Sequence, residues 1–153
     1  MTGRVPSRTR RTVISRLLAP LALLAALPSR LRAQVPREPP VGTERRWMDA
    51  AFAMRRLAES WGDQSYGAVL VIDGTIVGEG PSRVVQRGDA DAHAEREAIR
   101  DAQMRLGRKY LAGAVLYSTS RPCGRCEQAA AEARVARMIY GSDMRDGGQP
   151  VRR

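Results

Sequence analysis

The chain has one histidine and two cysteines in 153 residues. At most one disulfide can form, and a zinc site closed by four histidine or cysteine ligands is out of reach of one protomer. No internal repeat is visible, which argues against solenoid architectures. Acidic residues are missing from the first 33 positions, where seven of the chain's 26 basic residues stand (Arg4, Arg8, Arg10, Arg11, Arg16, Arg30 and Arg32). The remaining 19 basic residues face 16 acidic ones, so the formal charge of +10 falls to about +3 outside that segment. That ordinary balance removes the compositional case for a nucleic-acid partner. The length accommodates one domain of usual size.

What the first 33 residues do contain is an address. "TRRTVIS" sets Arg10 and Arg11 before the apolar run "LLAPLALLAAL", Leu17 to Leu27. Eleven residues at ~1.5 Å each do not cross a ~30 Å hydrocarbon core. The segment 1–33 resembles a bacterial twin-arginine signal peptide, with cleavage expected after Ala33. The resemblance implies export to the periplasm and no membrane anchor once the segment is removed. A basic N-terminal extension without an address is the alternative. Residues 34–43, beginning "QVPREPPVG", read as a Pro-rich linker.

Residues 44–145 alternate helical and strand patterns. In "RRWMDAAFAMRRLAES", Trp47, Ala51, Met54 and Ala58 form one apolar stripe. "YGAVLVIDGTIVGEG" reads as two strands joined by Asp73-Gly74, a pair suited to a tight hairpin turn. "DAHAEREAIRDAQMRLG" is helical, with Gly107 as its stop. "AGAVLYSTS" is a third strand. "PCGRCEQAAAEARVA" is a helix with Pro122 expected at its first position, and "RMIYGSD" is a fourth strand. The order α-β-β-α-β-α-β predicts a layered α/β sandwich with a mixed central sheet. Residues 146–153 are expected to form a loose tail.

The scarce residues fall together. His93 stands in "HAE", and thirty residues later "PCGRC" holds Cys123 and Cys126. The cysteines are i, i+3 at a predicted helix N-terminus, so both thiols face one way. The positive end of the helix favours their thiolates. Two thiolates and one imidazole supply three zinc ligands and leave a fourth position for water, which marks catalytic sites rather than structural ones. Glu95, two residues from His93, is placed to take a proton from that water and return it to a leaving amine. Together these describe hydrolytic deamination.

"HAE" followed by "PCGRC" matches the H-x-E…P-C-x-x-C signature of the zinc-dependent cytidine and purine deaminases. The blocks "GDQSYGAVLVIDGTIVGEG", "DAHAEREAIRDAQMRLGRKYLAGAVLYSTSRPC" and "RVARMIYGS" resemble the guanine deaminase and tRNA adenosine deaminase branch of that superfamily. The resemblance covers Trp47 to Asp143. It implies a three-layer α/β/α sandwich of the cytidine deaminase-like type, C-terminally shortened, without the branch's fifth strand and last helices. It implies one Zn2+ per protomer on His93, Cys123 and Cys126, with Glu95 as the catalytic proton shuttle. It also places Ser82, Ala94 and Tyr66 at the substrate, with the Cys123 backbone N–H near the developing oxyanion. The implied substrate is a small-molecule base or nucleoside, a guanine-like purine ahead of a cytosine-type base, and the implied assembly is a homo-oligomer.

The chain departs from that branch at three places. Ser82 stands where the branch usually has Asn, Ser65-Tyr66 where it has Pro-Phe, and Arg121 where it has Glu. Two other readings therefore remain open at this point. One is a non-catalytic zinc-binding periplasmic domain of deaminase type. The other is a C-x-x-C redox or disulfide protein.

Overall fold

The structure is a computed structural model that describes residues 43–152. The signal-peptide and linker expectations lie outside the described residues, apart from position 43. Among the described residues, no helix is long and apolar enough to cross a membrane.

The chain runs through α1 (Thr43–Ser60), β1 (Gly67–Ile72), β2 (Thr75–Pro81), α2 (Val84–Arg87), α3 (Ala94–Leu106), β3 (Val115–Ser118), α4 (Gly124–Glu132), β4 (Arg137–Tyr140) and β5 (Arg145–Gly148). The strands form one sheet in the order β2-β1-β3-β4-β5. β3 and β4 are parallel and the other neighbours antiparallel, so the sheet is mixed as expected. The β1–β2 turn carries positive φ at both Asp73 (48°) and Gly74 (76°), the backbone signature of the tight hairpin turn that this pair favours.

Strand alternation sorts the core into two layers. Val69, Val71, Tyr117 and Ile139 face α1, where Trp47, Met48 and Ala51 cover them. Ala68, Leu70, Leu116 and Met138 face the other way, towards α3 and Ala130 of α4. The described residues thus form an α/β/α sandwich, with the long helices placed by apolar faces written into their sequences. Gly107 closes α3 in the left-handed region (φ 60°), its N–H bonding back to Gln103 and Met104, as the sequence predicts.

Three features differ from expectation. Residues 145–148 are not loose: they pair with β4 as a short antiparallel edge strand, so the sheet has five strands. This strand is polar and Gly-rich, held by backbone pairing and by the Arg137–Asp146 ion pair at 3.0 Å, so apolar periodicity gave no sign of it. Pro122 precedes the N-cap of α4 instead of opening the helix; Cys123 is the N-cap, with extended backbone (ψ 167°). The residue before the helix is thus the Pro and the first ligand is the cap itself. Finally, the single turn α2 follows β2, fixed by Asp63, whose carboxylate accepts the Gln86 N–H at 2.8 Å.

Candidate metal centre and active site

Two helix N-termini build the site. His93 is the N-cap of α3 and Cys123 the N-cap of α4, and neither side chain caps its own helix. Both are therefore free to point across the gap between the two helices. Cys126 lies in the first turn of α4 and is fully buried, whereas Cys123 is exposed. His93 Nδ1 lies 3.4 Å from Cys126 Sγ and 3.7 Å from Cys123 Sγ.

These distances fit a metal. Zinc–sulfur and zinc–nitrogen bonds of about 2.3 and 2.05 Å at a tetrahedral angle put S and N about 3.6 Å apart. The ligand atoms of His93, Cys123 and Cys126 all lie within 4.8 Å of one another, and this is the metal-ligating cluster among the described residues. Burial, with the nearby Glu95 carboxylate adding to it, pushes the Cys126 thiol well above its ordinary pKa. A divalent cation reverses that balance and holds both sulfurs as thiolates. Neither cysteine is in a disulfide.

Glu95 sits in the first turn of α3, buried to 5% exposure, and accepts a hydrogen bond from the Ser118 hydroxyl at 2.8 Å. Ser118 ends β3 on the face that carries Leu116, so the sheet itself delivers the donor. A buried carboxylate needs such a partner. Sequence reasoning found Glu95 but not Ser118, whose type and spacing carry no signal.

The expected substrate residues are placed as follows. Ala94 is buried at the first position of α3, where its carbonyl packs on Gly80 of β2. Ser82 is fully buried, donates its hydroxyl to Asp63 Oδ1 at 2.9 Å and gives its N–H to the Tyr66 carbonyl. It braces the wall of the site and offers no exposed atom to a substrate. The next residue, Arg83, bonds through its N–H to the Ala92 carbonyl, which brings this loop beside His93. Tyr66 is 46% exposed and lines an open cavity of about 550 Å³ with Arg55, Gln64 and Ser65. None of the metal donors lines that cavity, so size does not locate the chemistry here. Arg121 is exposed on the approach to Pro122.

A buried carboxylate that sequence reasoning passed over, Glu97, ties the same wall down. Arg87 and Arg100 reach it at 2.8 and 2.7 Å and Arg83 at 3.8 Å. Arg83 also stacks on Trp61 at 4.6 Å.

Two helix termini presenting one imidazole and two thiols, with a buried carboxylate beside them, define a one-zinc hydrolytic site. The chain belongs to the cytidine and deoxycytidylate deaminase zinc-binding family, whose model matches residues 41–142. It is a zinc-dependent hydrolytic deaminase by that membership. It is 38% identical over 102 residues to a tRNA-specific adenosine deaminase of Agrobacterium fabrum, covering 67% of each chain. It is also 38% identical over 84 residues to a guanine deaminase of Bacillus subtilis, covering 55% of this chain and 54% of that one. The chain thus spans about half the length of the second relative. The crystal structure of Bacillus subtilis guanine deaminase superposes with a TM-score of 0.60 at 34% identity, over 63% of this chain and 62% of that one.

Proposed function

We propose that the protein deaminates a free base or nucleoside, guanine-like purines ahead of cytosine-type bases, and that it does so after export by the twin-arginine route. The observation that carries the chemistry is the Glu95 carboxylate, buried beside Cys126 and held by Ser118. A zinc ion on the three donors supplies the Lewis acidity that makes water reactive near neutral pH. Water adds to the amine-bearing ring carbon, a C–O bond forms, the C–N bond breaks and ammonia leaves. Glu95 takes the proton from the water and delivers it to the departing nitrogen. The Ser118 hydroxyl holds the carboxylate in place for both transfers.

Support for a small substrate comes from charge. Outside residues 1–33 the balance is only about +3, and Arg83, Arg87 and Arg100 on the site wall are engaged with Glu97, Trp61 and Asp89, which leaves Arg121, among the described residues, as the exposed cation without an ion pair beside the cysteines. A protein that grips a phosphate backbone needs uncommitted cations. Similarity to guanine deaminase points the same way, and similarity to tRNA-specific adenosine deaminase marks the competitor. The test is ammonia release from a panel of amine-bearing bases, nucleosides and an anticodon stem-loop, with zinc measured in the same samples. Turnover of guanine or a related small base is expected. Turnover of the stem-loop alone would overturn the small-substrate reading. For export, a folded-only reporter fused to residues 1–42 should leave the cytoplasm and should stop doing so when Arg10 and Arg11 become Lys.

A further inference from the structure

One ion pair joins the two ligand-bearing helix ends. Asp91 lies two residues before His93, and Arg125 lies between Cys123 and Cys126. Arg125 Nη1 is 2.8 Å from Asp91 Oδ1. The pair therefore spans the gap that the metal donors also span. Both ends of it are unusual for their surroundings. Arg125 places a cation in the first turn of α4, where the helix field opposes it. Asp91 Oδ1 is closed off from water and takes no hydrogen bond of good geometry. Its compensation is the Arg125 guanidinium, with Arg96 further away at 3.8 Å.

The backbone at Asp91 is held from both sides. Asp89 Oδ1 accepts the Asp91 N–H at 2.8 Å, and the Ala92 carbonyl accepts the Arg83 N–H at 3.0 Å. Asp91 is a fixed post on the His93 side, and Arg125 is the arm from the cysteine side. In the core, α3 and α4 meet largely through alanines, which give little directional restraint.

We propose that Asp91 and Arg125 are positioning residues: a strap that sets the separation between His93 and the cysteine pair and so controls how long zinc is retained. The inference rests on the metal site and not on the proposed substrate. The guanidinium is not a ligand, and its charge alone repels the metal. This makes the strap separable from plain electrostatics. If charge alone mattered, Arg125→Asp would slow zinc release; if the strap matters, the same change sets two carboxylates against each other and speeds it.

The experiment follows zinc transfer from the loaded full chain to a chromogenic chelator, without substrate. Asp91→Arg and Arg125→Asp are each expected to speed release about three- to fivefold, the range of an ion pair partly open to water. The reversed pair, Asp91→Arg with Arg125→Asp, is expected to return the rate to within about twofold of wild type. Arg125→Lys keeps the charge and should retain most of the effect. Cobalt-substituted single variants should show shifted visible bands, restored in the reversed pair, a signature that general loss of stability does not produce. Slower release in Arg125→Asp, unchanged release in both singles, or simple addition of the two effects in the reversed pair would overturn the proposal.

Discussion

The two faces of the sheet are filled by different kinds of side chain. Against α1 the core is large: Trp47, Met48, Val69, Val71, Tyr117 and Ile139, with the Trp47 and Tyr117 rings 5.3 Å apart. Against α3 and α4 it is small, and seven of its thirteen buried members are alanine. There the sheet and α3 come into backbone contact: a Cβ on Gly80 would lie 2.0 Å from the Ala94 carbonyl oxygen, and one on Gly78 would lie 2.2 Å from that of Ala98. α1 also approaches closely, at Gly67 beside the Ala51 carbonyl. That contact, however, positions no ligand. The comparison assigns different tasks. Large side chains on the α1 face remove much apolar area from water and supply stability. Small ones on the other face let α3 sit directly on β2, so that its N-terminus, and His93 with it, is located by backbone contact rather than by adaptable side chains.

The largest effect expected is on the small-residue face. Cys126→Ser removes one of three donors at a fully buried position. Metal binding and folding are coupled, so loss of a donor weakens both. The variant should purify without zinc and melt well below wild type. A zinc-free wild-type protein of full stability would show that the metal is dispensable to this face.

Next comes Glu95→Gln. The amide keeps the shape and can still accept the Ser118 hydrogen bond, but it does not take a proton at neutral pH. Zinc content and fold should be unchanged, and turnover of the best small substrate should fall by about 10²- to 10⁴-fold. Loss of zinc with activity would make Glu95 a ligand. A loss below about tenfold would dismiss it as the shuttle.

Trp47→Ala and Gly80→Ala test the comparison directly. Trp47→Ala empties the α1 face and should cost about 3–5 kcal/mol in denaturant unfolding, with zinc affinity of the folded protein near wild type. Gly80→Ala overfills the other face against backbone atoms and should cost about 3 kcal/mol or more. Its methyl pushes on the first turn of α3, so zinc affinity should fall by about tenfold, because sites of this kind tolerate about 0.5 Å of displacement. If the two variants affect zinc alike, the division of tasks is wrong.

The same division explains what could be read in advance. The donors and Glu95 were legible because chemistry restricts the residue type and helix geometry restricts the spacing. The α1 stripe and the Asp73-Gly74 hairpin were legible because they are local periodicities and turn conformations. Ser118, Glu97 and the Asp91–Arg125 pair were not, since each acts through partners remote in sequence (for Glu97, Arg83 and Arg87 beside the local Arg100) and each residue type has a commonplace surface role. Ser82 is a different case: its position in the family's pattern places it at the substrate, and its hydroxyl turns inward to Asp63. Residues 145–148 were missed because a polar, Gly-rich edge strand has no apolar alternation to detect.

The smallest effect expected is that of Ser118→Ala. Ser118 is nearly fully buried and its hydroxyl donates to the Glu95 carboxylate at 2.8 Å. Removing it leaves the carboxylate in place but loosely aimed. A hydrogen bond to a charged group contributes about 1.5–3 kcal/mol, which sets the ceiling on the loss at about 10- to 150-fold if all of it is realised in the transition state. Part of it is shared with the ground state, so kcat should fall by about tenfold, with zinc content unchanged and KM near wild type. Ser118→Thr, which keeps the donor, should recover most of the rate. A kcat loss that Thr does not recover would mean that the small-residue face tolerates no extra methyl at this point, and would trace the effect to packing against α3 instead of to the aim of Glu95. In a double variant with Glu95→Gln, Ser118→Ala should add little, because a residue that acts only by aiming the carboxylate has nothing left to aim.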